Sequence, residues 1–201
     1  MFIDYQNLYH RARDSFFEGD NPPPPIGHIH PLKIGELLVE LGLPIFPNRE
    51  QAGVQVYRAQ PDQRSGQDLE RAAKRQMGCW ANTAGVTVCS RPMDYIATIR
   101  GRKKRWVGRE KGIDVMLAVD IVDMARTDAY DTAVIFLADT DLLPALEAAV
   151  RIGKRVETAT WAGLGVNRGA LRIKQRDLWN HYLDRSHFNR VSDDTDYLKS
   201  P

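Results

Sequence analysis

Residues 132–141 read TAVIFLADTD, and this stretch decides the fold that we expect. Its apolar part, Ala133 to Ala138, is rich in β-branched and aromatic side chains and is too short for an isolated helix, which predicts a strand buried on both faces. Asp139 and Asp141 follow at once, and a helical pattern of apolar residues comes next, with Asp141 as its expected N-cap and Pro144 in its first turn. This order is typical of a site at the carboxyl end of a parallel sheet. A plain alternative is that Asp139 ends the strand and Asp141 only caps the helix.

Strand and helix patterns alternate along the rest of the chain. Further short strands are predicted at residues 2–4, 53–59, 86–89 and 156–161, with helical patterns between them. Such alternation predicts right-handed crossovers and a mainly parallel sheet, that is, an α/β fold built as a Rossmann-like three-layer α/β/α sandwich. The helix predicted over residues 113–125 is apolar nearly all round, and we expect it to be buried.

Four aspartates are expected at one edge of this sheet. In the strand order 3-2-1-4-5, the first strand lies beside the fourth, which brings Asp4 close to Asp139 and Asp141. Asp114 begins the helix that leads to the fourth strand, and Asn7 is predicted either to cap the first helix or to take part in a site. Carboxylates this close require a cation, and oxygen ligands without His or Cys favour Mg²⁺ or Mn²⁺ over zinc. The first strand is expected to be short or to be completed upstream.

Composition and missing motifs exclude several classes of protein. No apolar run in the 201 residues reaches membrane-spanning length, and no signal region is evident, so we expect no membrane partner. Cys79 and Cys89 lack metal-like spacing, which favours a cytoplasmic location. The glycine-rich nucleotide motifs and Gly-x-Ser-x-Gly do not occur. We expect the five histidines at the surface and the acidic segment 193–196 to be a solvated end.

Residues 100–111 form a strongly basic segment, RGRKKRWVGREK. It contains seven Arg and Lys residues and one Glu, although the whole chain has a net charge of only +2. Strand-like residues on either side of a turn predict a β-hairpin or a mobile arm at about 92–110. Positive charges around an aromatic ring are typical of a surface that binds single-stranded RNA. The expected contacts are Arg102, Lys103, Lys104, Arg105, Trp106 and Lys111, and a solvated charged turn is the alternative.

Three blocks of the sequence resemble the NYN domain, in the LabA-like branch of the PIN-like nuclease superfamily. They are FIDYQNL, REKGIDVMLAVD and FLADTDLLPALEAAVRIGKRV, and they occur in the order typical of that family. The family usually has S-G-D-S-D-F at the acidic turn, where this chain has L-A-D-T-D-L. Ala138 therefore replaces a glycine, and Thr140 keeps a hydroxyl group that we expect to contact the substrate.

The resemblance implies a metal-dependent ribonuclease. We expect an endonuclease, and the basic segment with Trp106 favours RNA that is single-stranded or has exposed single strands. By this resemblance, the acidic active-site residues are Asp4, Asp114, Asp139 and Asp141, and Asn7 has a polar role in the same site. We expect Asp4, Asp114 and Asp139 to hold Mg²⁺ or Mn²⁺, with Asp141 completing the acidic shell. Such an ion would activate a water molecule and neutralise charge on the scissile phosphate.

On this interpretation, residues 1–161 form the NYN/PIN-like domain, and residues 162–201 form a C-terminal extension packed on it. Two rival hypotheses stay open. One is a non-catalytic RNA-binding or regulatory module. The other is an aspartate-based phosphatase or phosphotransfer domain, which would give the basic segment no role. A homo-oligomer also stays open.

Overall fold

Parallel strands form the centre of the molecule. The structure, a computed structural model, describes residues 1–17, 23, 25–100, 103–136, 140–163, 172–173 and 176–199. Within these residues, the central sheet consists of β1 (Phe2–Asp4), β2 (Val54–Gln60), β3 (Val86–Pro92), β6 (Thr132–Phe136), β7 (Arg155–Trp161) and β10 (Trp179–Leu183). Two further pairs of antiparallel strands are β4 (Asp94–Arg100) with β5 (Lys103–Arg109), and β8 (Arg172–Ile173) with β9 (Arg176–Asp177).

The order of the central sheet is β10–β7–β6–β1–β2–β3, and all its pairs are parallel. The five predicted strands correspond to β1, β2, β3, β6 and β7, and their predicted order 3-2-1-4-5 is therefore confirmed. Strand β10 adds a sixth. From β1 the chain adds strands on one side, β2 and β3, and then on the other side, β6 and β7. This change of side places the topological switch point at the end of β1. The predicted α/β fold class with a mainly parallel sheet is confirmed.

Helices cover both faces of the sheet. One apolar cluster joins it to α1 (Tyr5–Phe16), α2 (Pro31–Gly42), α3 (Gln67–Ala81) and α6 (Arg185–Val191). A second cluster joins the other face to α4 (Ile113–Arg126) and α5 (Leu143–Arg151). In β1, Ile3 belongs to the first cluster and Phe2 to the second, because successive side chains of a strand point to opposite faces.

Helix α4 differs from the prediction that it would be buried all round. Ile113, Leu117 and Ile121 are buried on its inner face, but Val115 is 66% exposed and Val119 is 59% exposed. The prediction was wrong because α4 lies in the outer layer, where only one side of a helix contacts the sheet.

Two residues that were predicted to be helix N-caps, Asn7 and Asp141, do not occupy that position. Asp4 caps α1, so Asn7 lies inside the helix rather than at its N-cap. Asp141 belongs to a 3-10 turn, Thr140–Leu142, and α5 begins at Leu143 without a side-chain cap. Pro144 does lie in the first turn of α5, as predicted.

The C-terminal part is more deeply packed than the sequence suggests. Strand β10 pairs with β7, and the side chain of His181 on β10 is buried. Asp193 and Tyr197 are also buried, and the Tyr197 hydroxyl donates to Oδ2 of Asp193 over 2.6 Å. The predictions of surface histidines and of a solvated acidic end are therefore wrong at these positions. In the described ranges, no helix is both long and apolar enough to cross a membrane.

Candidate active site

Asp4 is the central residue of the candidate site. It ends β1 and caps α1, since the chain passes directly from a three-residue strand into the helix. Its side chain is buried, with a residue exposure of 5%. The backbone N–H of Asn7 donates to Oδ1 over 3.1 Å, and Nδ2 of Asn7 donates to Oδ2 over 2.7 Å. Asn7 thus fixes the orientation of the Asp4 carboxylate.

Two more carboxylates come from the segment that leads into α4. Asp114 lies in the first turn of this helix, whose N-cap is Gly112 with a φ of 75°. This left-handed conformation favours glycine over residues with a side chain. Glu110 lies just before it, and its Oε1 accepts the backbone N–H of Ala59 on β2 over 2.8 Å. We refer to Asp4, Glu110 and Asp114 as the acidic cluster.

Electrostatics within the acidic cluster disfavour the ionised forms of Asp4 and Glu110. Burial raises the pKa of Asp4, the hydrogen bonds from Asn7 oppose this rise, and the Asp114 carboxyl adds to it. Burial likewise raises the pKa of Glu110, the N–H of Ala59 opposes it, and the charges of Asp4 and Asp114 add to it. A cation would relieve this repulsion, because it favours the charged form of each group.

The structure brings together only part of the predicted site. Asp4, Asn7 and Asp114 are neighbours, whereas Asp139 lies outside the described residues. Asp141 and Thr140 are exposed in the turn before α5. Sequence reasoning missed Glu110, which it counted only as one negative charge in the basic segment.

Oxygen donors make the acidic cluster chemically suited to Mg²⁺ or Mn²⁺, which prefer carboxylate ligands. In the part of the chain that the structure describes, no three His, Cys, Asp or Glu side chains are arranged to hold a metal ion. Of the three predicted ligands, the structure describes Asp4 and Asp114, whose carboxyl groups interact directly. The third predicted ligand, Asp139, follows the described end of β6, which pairs with β1.

Strands β4 and β5, which we call the basic hairpin, lead directly into the acidic cluster. They pair from Asp94 with Arg109 to Arg100 with Lys103. The hairpin is anchored by Tyr95, whose hydroxyl accepts the N–H of Asp62 over 2.9 Å.

The described cations of the basic hairpin are open to solvent. Lys104 and Arg105 are exposed, as is Lys111 after the hairpin. Trp106 is 38% exposed, and Lys104 Nζ lies 4.4 Å from the centroid of its ring. Arg102 and the Lys103 side chain lie outside the described part of the molecule.

A parallel α/β sandwich with carboxylates at the end of its central strand agrees with the fold of PIN-like nucleases. The NYN domain family matches residues 1–165, and the chain belongs to this family of PIN-like nucleases. No curated protein and no solved structure matches the chain.

Proposed function

We propose that the protein is a metal-dependent ribonuclease, an endonuclease of the LabA-like branch that hydrolyses RNA phosphodiester bonds at the acidic cluster. The observation that carries this proposal is the buried carboxylate of Asp4 at the switch point of the sheet, held by Asn7 and crowded by Glu110 and Asp114. Membership of the NYN family supports the same activity.

Each residue of the site would have a distinct role. Asp4, Asp114 and Asp139 would hold Mg²⁺ or Mn²⁺, with Asp141 completing the acidic shell. When bound, the ion would lower the pKa of a water molecule and neutralise charge on the scissile phosphate. Asn7 keeps the Asp4 carboxylate in one orientation. The raised pKa of Glu110 suits it to hold a proton closer to neutral pH than a free glutamate does.

RNA is the proposed partner, and the basic hairpin is its proposed contact surface. Lys104 and Arg105 are exposed, and the hairpin ends directly before Glu110. An RNA strand bound along the hairpin would therefore reach the acidic cluster. Arg102, Lys103 and Lys111 would add phosphate contacts. The partly exposed ring of Trp106 would stack on a base, which suits single-stranded RNA or exposed single strands. Thr140 would contact the substrate beside the acids.

We also propose that residues 1–161 are the catalytic domain and that residues 162–201 extend it, since β10 adds to the same sheet. A cytoplasmic location agrees with the free thiols of Cys79 and Cys89.

The test is RNA cleavage with added Mg²⁺ or Mn²⁺, on structured and unstructured substrates. Asp4→Asn, Asp114→Asn and Asp139→Asn should each lower the rate by at least about 100-fold, since even residues that only support metal ligands often cost 10- to 100-fold. Asp123→Asn is the matched control, because Asp123 is exposed on the same helix as Asp114. Wild-type rates in the three variants would rule out the assigned site.

A second candidate is an RNA-binding NYN module that does not cleave. The basic hairpin favours it, because its exposed cations can bind phosphates whether or not the acids are active. Replacing Lys104 and Arg105 with Ala should flatten the log–log dependence of affinity on salt by about 0.7 per lost contact. Arg151→Ala, at the exposed end of α5, should leave the slope unchanged. Salt-dependent binding without cleavage would favour this module over the ribonuclease.

A further inference from the structure

A small pocket lies on the sheet face that α1 and α3 cover, and Arg58 in its wall is close enough to Glu110 of the acidic cluster for their charges to interact. Its volume is about 190 Å³, and its walls include Tyr9, His28, Arg58, Leu69 and Gln76. Two of its elements also build the acidic cluster. Helix α1 starts at Asp4 and contributes Tyr9, and β2 contributes both Arg58 and the N–H of Ala59 that binds Glu110.

Flat rings dominate one wall of the pocket. The rings of Tyr9 and His28 stack with centroids 4.9 Å apart and an angle of 27° between their planes. Tyr5 lies nearly parallel to both, at 6.5 Å from Tyr9 and 6.2 Å from His28. Leu69, on α3, adds an apolar surface that is 48% exposed. Such walls suit a flat, apolar-faced ring system.

A chain of hydrogen bonds fixes the polar groups of the pocket. Arg58 Nη1 donates to Oε1 of Gln76, which is only 2% exposed, and Nε2 of Gln76 donates to the Tyr5 hydroxyl over 3.3 Å. The same hydroxyl accepts the N–H of Ile29 over 3.4 Å and lies 2.9 Å from Nδ1 of His28. Because its oxygen accepts two N–H groups, the hydroxyl proton of Tyr5 is directed to Nδ1.

His28 therefore carries its own proton on Nε2. Burial and, after it, the Arg58 charge lower the pKa of His28 to about 4, although Asp193 opposes them, so the ring is neutral at physiological pH. Among the described residues, no hydrogen bond involves Nε2 of His28. His28, one of the residues that line the pocket, is thus a neutral N–H donor.

We propose that this pocket binds one nucleobase of the RNA strand whose adjacent phosphate lies at the acidic cluster. The inference rests on the proposed function. A volume of about 190 Å³ is below the roughly 300–1,000 Å³ of pockets that enclose drug-sized ligands, so it suits a single base. The Tyr9 ring, which His28 and Arg13 cover only in part, and the apolar surface of Leu69 contact the base, and the Nε2–H of His28 binds an acceptor on its edge.

An anion fits this pocket less well. Arg58 is its main cation, but the guanidinium already binds Gln76 and lies 5.3 Å from the Tyr5 ring centroid and 5.9 Å from that of Trp80. Its charge is therefore engaged within the fold.

The test uses short RNA oligonucleotides that carry one 2-aminopurine, moved one position at a time. All proteins carry Asp139→Asn, with Mg²⁺ present, so that binding is measured without cleavage. We expect fluorescence quenching on binding at one position only. Tyr9→Ala should abolish this quenching and weaken affinity about tenfold, as expected for the loss of one stacked base. Tyr9→Leu keeps an apolar side chain for the fold and should behave in the same way.

The controls separate the pocket from the rest of the site. Tyr182→Ala, on β10, should keep both the quenching and the affinity, because Tyr182 is partly exposed outside the pocket. An abasic nucleotide at the quenched position should weaken binding to the parent protein but not to Tyr9→Ala.

Three results would overturn the inference. The first is RNA binding in which the quenching of 2-aminopurine depends on Tyr9 at no position. The cleavage test would then decide separately whether the protein is a ribonuclease. The second is Tyr9-dependent quenching of the free 2-aminopurine nucleotide but not of the RNA, which would assign the pocket to a mononucleotide. The third is the absence of RNA binding, which would overturn the proposed function as well.

Discussion

Two buried carboxylates in the central sheet differ in how their charge is compensated. Glu157 on β7 is 1% exposed, and it accepts hydrogen bonds from Nη2 of Arg49 over 2.6 Å and from Nε2 of His181 over 2.9 Å. Asp4 on β1 is 5% exposed, and its hydrogen bonds come from the neutral N–H groups of Asn7. One acid has cationic or titratable partners, whereas the other has acidic neighbours.

Their pKa values shift in opposite directions for this reason. Burial alone would raise the pKa of Glu157, but His181 and Arg49 outweigh burial, and the net shift is downward. Burial raises the pKa of Asp4, and the nearby Asp114 raises it further. A paired acid is an ordinary structural element, whereas a buried acid among other acids lowers stability and is typical of functional sites. The difference therefore separates the structural acid from the candidate catalytic one.

The largest effect is expected from breaking the paired acid. Glu157→Gln would leave the charge of Arg49 buried, since the Arg49 side chain is only 8% exposed. Removing one partner of a buried pair typically costs about 3–5 kcal/mol, and we expect a loss of that size in the free energy of unfolding. Urea denaturation would measure it.

Glu147→Gln is the matched control for this prediction. Glu147 forms a partly exposed ion pair with Arg151 over 3.8 Å, and such pairs contribute about 0–1 kcal/mol. Equal losses in the two variants would mean that Glu157 is not the structural acid that its contacts indicate.

A smaller effect of opposite sign is expected at Asp4. In EDTA, Asp4→Asn should raise the free energy of unfolding by on the order of 1 kcal/mol, a typical size for a point substitution. The reason is that Asn caps a helix about as well as Asp but adds no charge to the acidic cluster. Urea denaturation in the presence of EDTA would show the gain.

Asp184→Asn makes the same substitution at a different helix cap. Asp184 caps α6 by accepting the N–H groups of Ser186 and His187. The hydrogen bond from the Ser186 hydroxyl and the one from the His187 N–H lower its pKa to about 2. This variant should be less stable than the wild type. A loss of stability at both caps would show that the acidic cluster does not strain the protein.

The alternation of strands and helices was enough to predict the fold. The apolar run in β6 and its spacing from the other strands predicted the sheet, and the switch-point rule predicted that β1 lies beside β6. The expected place of Asp4 followed from that order, because the ends of parallel strands meet at one edge. That of Asp114 followed because it begins the helix that leads to β6. These inferences needed only local patterns and a rule about topology.

Glu110 and the pocket could not be predicted in this way. Glu110 owes its place to the N–H of Ala59, which lies 51 residues earlier in the chain. His28 reaches the pocket because the Tyr5 hydroxyl and the ring of Tyr9 hold it there. Periodicity cannot reveal such contacts, since they depend on how distant segments pack. The same limit made α4 seem buried on every side, because an apolar sequence does not show in which layer a helix lies.

The smallest expected effect is the pH dependence of the two cap variants. The pKa of Asp4 is raised above its ordinary value of 3.8, so the folded protein binds its proton more tightly than the unfolded chain does. Its contribution to stability is complete below pH 3.8 and is lost as pH rises through the folded pKa. The advantage of Asp4→Asn over the wild type in EDTA should therefore grow as pH rises from about 4.

Asp184 should show the reverse trend, because its pKa is lowered to about 2. Its contribution is present above the ordinary pKa of 3.8 and is lost as pH falls towards 2. The deficit of Asp184→Asn relative to the wild type should therefore shrink as pH falls from about 4 towards 2, whereas the advantage of Asp4→Asn shrinks at higher pH, as pH falls towards about 4. Urea denaturation of the three proteins at several pH values between about 2 and 7 would measure both trends. If the stability of Asp4→Asn relative to the wild type instead fell as pH rose, the charge of Asp4 would be compensated like that of Glu157. This result would contradict the assignment of the acidic cluster as the active site.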